Sequence, residues 1–143
     1  MQYIVVSFIA WVLAQVLKHA VRLLGKNRRI FSKQSRHTIM LSGGMPSAHS
    51  ATVIALATSI GLHEGWNSAI FALASVLAAV VVYDAVMVRY SSGQQGDALN
   101  GLLEKSGNGK DLIDVAHGHT VLEAIAGVLL GCVVAFVAFF TTQ

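Results

Sequence analysis

Four stretches of this chain stay apolar for about the 17–25 residues that a membrane-spanning helix needs. They cover roughly 3–24, 46–63, 67–88 and 119–140. Between them the pattern turns polar: residues 25–42, the short link "GLHEGW" (61–66), and "RYSSGQQGDALNGLLEKSGNGKDLIDVAHG" (89–118). The second stretch is the shortest and most polar of the four. Within 89–118 the pattern predicts one short amphipathic helix near 94–104, a Gly/Asn turn at 107–109 and a further helical turn. The expected fold is all-α: one domain, residues 1–143, forming an integral membrane bundle of about four transmembrane helices, with a short amphipathic helix in the third loop.

Polar residues inside the apolar stretches refine this picture. Ser7, Trp11, Gln15, Lys18 and Arg22 are spaced by three and four, so they share one helix face. That face points into the bundle or to the cytoplasmic interface, because lipid is a poor solvent for it. Snorkelling of Lys18 and Arg22 at a helix end is the alternative. Gly127 with Gly131, Ala74 with Ala78, and Ser75 with Ala79 form small-xxx-small pairs. Such pairs mark close helix packing, either within the chain or between copies in a homo-oligomer.

Composition agrees with a membrane protein. Apolar residues make up 55% and charged residues 12%, against about 25% charged in soluble domains. Lys18, Arg22, Lys26, Arg28, Arg29, Lys33 and Arg36 fall in one segment, and Arg89, Lys105 and Lys110 in another. Four crossings put both segments on one side. The positive-inside rule then makes that side cytoplasmic and places both termini outside, as in a multi-pass protein of the inner (plasma) membrane. The net charge of +3 thus reflects topology and attraction to anionic lipid, and no soluble basic domain exists to bind nucleic acid. The start of the chain lacks a signal-peptide pattern, so the first span is expected to be retained. Cys132 stands alone inside the last span and reads as a packing residue.

"GGMPSAHSAT" (43–52) has more chemistry than a helix start requires. Pro46 suits the first helical position. Ser47, Ala48 and His49 would then offer the open N–H groups of the first turn, an anion site. Gly43 and Gly44 let the preceding backbone approach a ligand. A plain N-cap beside an interfacial histidine is the alternative. "HGHTVLEA" (117–124) opens the fourth span similarly. His119 and Glu123 are one turn apart, and a carboxylate on one imidazole nitrogen leaves the other as nucleophile or base. A purely structural His–Glu hydrogen bond is the alternative. In "YDAVMVRY" (83–90), Asp84 lies a turn inside the membrane and needs a partner. Lys18 and Arg89 are candidates, making Asp84 an orienter of phosphate-binding cations; a divalent-metal ligand is the other possibility. The expected topology gathers Lys18, His49, Asp84, Arg89, His119 and Glu123 at one membrane face.

"GGMPSAHSA", "YDAVMVR", "SGQQGDALN" and "GHTVLEAIAG" together resemble the divergent PAP2 family, related to acid phosphatases and vanadium-dependent haloperoxidases. The wider superfamily implies phosphatase chemistry through a phosphohistidine, with no cofactor. "PSAH" is similar to its PSGH motif, and "HTVLE" to the histidine-x-x-x-aspartate end of its third motif. The resemblance implies His119 as nucleophile, Glu123 as its orienter and His49 as general acid. Lys18, Ser47, Arg89 and Gly44 would bind phosphate. The chain departs from the pattern in three places: no lysine–arginine–proline first motif, Ile113 where an arginine precedes the nucleophile by six positions, and four helices instead of about six. Arg89 is the spatial candidate for that arginine. The implied function is hydrolysis of a phosphate monoester or diphosphate on an inner-leaflet lipid, phosphatidylglycerophosphate-like or polyprenyl diphosphate. A non-catalytic binding protein or transporter for a phosphorylated lipid is the rival, and a helical scaffold a third possibility.

Overall fold

The computed structural model describes residues 2–24, 44–107, 112–113, 115 and 118–142. The basic loop, Gly43, the side chain of Arg22, Lys110 and most of the expected turn at 107–109 lie outside these. Four helical rods result. α1 spans Gln2–Leu24 and α2 spans Ala48–Glu64. α3 (Ala69–Tyr83) passes through a π-helical turn (Asp84–Val88) directly into α4 (Arg89–Lys105). α5 covers Val121–Thr141. α1 and α3 contain neither Gly nor Pro. Val80–Val82 would favour a strand in water, but in hydrocarbon only a helix satisfies every peptide group within its own segment.

Three rods have the length and hydropathy of a membrane span: Gln2–Val21, Ala69–Lys105 and Val121–Thr141. α2 is shorter, 17 residues, or about 25 Å. Its place explains its composition. α2 packs against α1, α3 and α5, and its buried positions are small or polar: Ala48, Ser50, Ala51, Ala55, Ala57, Thr58 and Ser59 among them. A helix shielded from lipid on several sides does not need strong hydropathy; it needs small side chains so that three neighbours can approach. Ala10 and Ala55 meet Val134 and Ala135 in one cluster, Ala57 meets Ala74 and Ala78 in a second, and Ala14 meets Ala48 and Ala51 in a third. Two of the small-residue pairs, Gly127 with Gly131 and Ala74 with Ala78, are used within the chain. A Cβ on Gly131 would lie 2.5 Å from the Ala51 carbonyl oxygen, and one on Gly127 would collide with the Ser47 carbonyl oxygen. Leu73, Leu122 and Phe140, each more than 70% exposed, face outward where lipid would lie.

The rods alternate in direction. At one end Tyr3 donates a hydrogen bond to Glu64, and His63 meets both Tyr3 and Phe139 edge-on. Lys18, Ser47, Asp84 and His119 lie at the other end. The polar face of α1 points inward as expected: Ser7, Ala10, Ala14 and Lys18 are buried, Trp11 and Gln15 half-buried. Lys18, 3% exposed, does not snorkel.

The polar helix near 94–104 is present but not separate. It continues the third span without a break, because nothing in 89–93 is a helix breaker; Gly93 is tolerated where it is buried. The combined helix of 37 residues measures about 55 Å, so it must emerge from a hydrocarbon core about 30 Å thick. Its hydropathy drops at Arg89, where the polar half begins. Gly107, at φ 85°, lies just beyond its end. No helical turn follows at the described residues 112, 113 and 115. Single cysteines at Asn67 and Ser106, in a protein with Cys132 replaced, should label from opposite faces of a sealed vesicle. Equal accessibility would refute the four-crossing arrangement.

Candidate functional site

Two helix starts and one helix interruption build the site. α2 begins at Ser47, its N-cap. Pro46 therefore lies one position before the cap and not at the first helical position, because the Ser47 hydroxyl takes the capping role. That hydroxyl accepts from the Ser50 amide at 3.4 Å and from the Ser50 hydroxyl at 3.0 Å. The Ser47 amide donates to the Glu123 carbonyl at 3.0 Å. Ser47 thus spends its polar groups on the protein, and among the described residues the amides of Ala48 and His49 are those left open for an anion. His49 is exposed. Gly44 adopts φ +90°, which L side chains avoid, and its backbone runs beside the aliphatic stem of Lys18.

α5 begins at Thr120 with a capping box: the Glu123 amide donates to the Thr120 hydroxyl at 3.4 Å, and Glu123 Oε2 accepts from the Thr120 amide at 3.1 Å. The same Oε2 lies 3.1 Å from His119 Nδ1. One carboxylate oxygen therefore caps the helix and sets the imidazole tautomer, with the proton assigned to Nδ1 and the lone pair to Nε2. His119 is 5% exposed. Burial pushes its imidazole below the ordinary value; the hydrogen bond to Glu123 pulls the other way, and the charge of Lys18 adds to the lowering. The balance favours the neutral ring.

The π turn supplies the third wall. It carries one residue more than an α turn, which disturbs the regular backbone pairing. The Ala85 carbonyl accepts from the His119 amide at 2.9 Å. Asp84 Oδ2 pairs with Arg89 Nε at 2.6 Å, one of its two candidate cations. Among the described residues no three His, Cys, Asp or Glu side chains converge to hold a metal. Lys18, Arg89, Asp84 and His119 all lie within electrostatic reach of His49, and Lys18, Arg89 and Glu123 within reach of His119. The fold thus brings these side chains together at one end of the bundle.

A model of the divergent PAP2 family matches residues 1–134 of this chain. The chain belongs to the divergent PAP2 family. It is 34% identical over 97 residues to "Uncharacterized membrane protein YuiD" of Bacillus subtilis (strain 168), a match covering 68% of this chain and 58% of that protein. The chain thus aligns with less than two thirds of that relative's length. No solved structure matches.

Several residues of this divergent PAP2 site are not evident as parts of it from the sequence alone. Thr120 with Glu123 follows the T-x-x-E capping-box pattern, a signal that was available. Gly118 precedes the histidine because a Cβ there would collide with the backbone at Arg89 and Tyr90. Ile113, at the superfamily's arginine position, is 41% exposed. Its backbone amide donates to Asn100 Oδ1 and its carbonyl accepts from Asn100 Nδ2, both at 2.9 Å. No local signal announces that pairing.

Proposed function

We propose that this protein is a membrane lipid phosphatase acting through a phosphohistidine on His119. The observation that carries the reading is the contact between His119 Nδ1 and Glu123 Oε2 at 3.1 Å. It leaves Nε2 as a lone-pair nucleophile in a buried site within reach of two cations. Nε2 attacks the terminal phosphorus, its P–O bond to the lipid alcohol of a monoester or to the lipid phosphate of a diphosphate breaks, and the leaving oxygen takes a proton from His49. His49 then removes a proton from water, the hydroxide attacks phosphorus, and the P–N bond electrons return to Nε2. Lys18, Arg89 and the open amides of Ala48 and His49 stabilise charge on the transferring group. The carboxylate of Glu123 stabilises the imidazole when it becomes positive.

Lys18 and Arg89 cluster at the site end of the bundle, and Lys105 extends α4 beyond it. By the positive-inside rule the site opens to the cytoplasm, and the substrate is an inner-leaflet phosphate monoester or diphosphate, phosphatidylglycerophosphate-like or polyprenyl diphosphate. Purified protein should release inorganic phosphate from at least one member of a panel of such lipids in mixed micelles. Ile113, standing where the superfamily pattern has arginine, favours a second reading, a lipid-phosphate binding protein. Saturable binding of the same lipids with no phosphate release by the wild type would select it.

A further inference from the structure

We infer that Asn100 is a positioning residue for His119, setting the register of the segment that carries it. The inference deepens the hydrolase reading above and takes His119 from it. The geometry begins with the amide of Asn100, which both donates to and accepts from the backbone of Ile113, thirteen positions away, at 2.9 Å each way. This double bond to one residue imitates a hydrogen-bonded pair of antiparallel strands. It fixes the segment's position along the helix and its rotation.

Among the described residues three more contacts fasten the same segment. A Cβ on Gly96 would lie 2.7 Å from Val115 Cγ2, so the segment packs on bare helix backbone there. Gly118 lies against the backbone of Arg89 and Tyr90. The His119 amide reaches Ala85 at 2.9 Å. Read along the segment, residues 113, 115, 118 and 119 meet positions 100, 96, 90 and 85. The two run antiparallel, laced at intervals. Of these four fastenings, only Asn100 holds the segment by side-chain hydrogen bonds. It also stands at the end farthest from the histidine, where a slip would start. A slip of one position would remove His119 Nδ1 from a carboxylate now 3.1 Å away. Asn is a poor helix former, so its place inside α4 calls for such a role.

Diethyl pyrocarbonate labelling of the purified protein in detergent, resolved residue by residue by fragment mass spectrometry, tests this without relying on activity. In the wild type the exposed His49 should label readily and the buried His119 slowly. Asn100→Ala should raise His119 labelling about tenfold or more and leave His49 unchanged. In the phosphate-release assay it should lower kcat by roughly 10- to 100-fold at constant KM, as a displaced reacting group does. Tryptophan emission, to which Trp66 at the far end of the bundle contributes, checks folding. If Asn100→Ala does not fold, Asn100→Asp decides. It keeps the bond from the Ile113 amide, sets a carboxylate against the Ile113 carbonyl, and should give intermediate labelling. His119 protection equal to wild type in the folded variants overturns the inference. Protection lost in the variants upholds it even if the wild type releases no phosphate, in which case the hydrolase reading is the one that fails.

Discussion

His119→Ala should abolish phosphate release while the protein still folds and binds lipid. A positioned acid or base contributes about 10²–10⁴-fold, and loss of the nucleophile should cost at least that, since no covalent intermediate can form. His49→Ala should slow the release of the lipid alcohol and the hydrolysis step, so phosphohistidine should accumulate on His119. That adduct survives alkali and is lost in acid, and mass spectrometry at high pH detects it. The pH profile carries a sign. His119 must be neutral to attack, and burial holds its imidazole below the ordinary value, near 6.5. The acid limb that His119 sets should therefore lie below about pH 6.5, while the general-acid role of His49, whose ring must be protonated to act, adds an alkaline limb. Glu123→Gln keeps the capping box, which accepts Gln, but removes the charge that favours the protonated ring. Its acid limb should move to still lower pH, with a reduced plateau. Full activity in His119→Ala would end the phosphohistidine proposal.

Gly127→Leu should destabilise the fold and inactivate the site together. Gly127 abuts the carbonyl oxygen of Ser47, whose amide bonds to the carbonyl of Glu123. A side chain there must push α5 from α2 at the point where the two helix starts are registered. Overpacking of this kind costs about 1–3 kcal/mol and occasionally more. The neighbouring Leu129→Ala change, at a site 61% exposed toward the lipid side, should be nearly silent. Thermal unfolding in detergent, followed with phosphate release, separates the two. A Gly127→Leu protein that melts like wild type would show that the close contact is not needed.

The contrast between legible and hidden features follows their range. The inward face of α1 was readable because residues three and four apart share a face whatever surrounds them. The same one-turn rule made His119 and Glu123 readable as a pair. Gly127 with Gly131 and Ala74 with Ala78 were readable as close contacts, though only the fold shows that α2 is what they meet. α2 itself read as the weakest span for the reason that makes it central: its small and polar residues are those a helix with three close neighbours requires. Pro46 was misplaced by one position because proline and serine compete for a helix start, and the hydroxyl of Ser47 had a partner in Ser50. The continuity of α3 with α4 was hidden by the polarity of 89–105, which resembles a loop when read beside a membrane span. The pairing of Asn100 with Ile113 depends on how the chain returns after Gly107, which no local pattern encodes.

The π turn at Asp84–Val88 acts as a change of phase. From Ala78 to Gly96 is about five whole turns of an ordinary α-helix. Were every step between them ordinary α-helix, the two positions would point the same way, and the returning segment would seek the side already occupied by α2. One added residue rotates everything beyond Val88 by about 100°. Ala74 and Ala78 keep α2, while Gly96 and Asn100 turn to a separate side for the segment bearing the histidine. A substitution that turned 84–88 into ordinary α-helix at unchanged chain length would leave hydropathy and span length almost unchanged, yet it would set the two halves of this helix in competition for one neighbour.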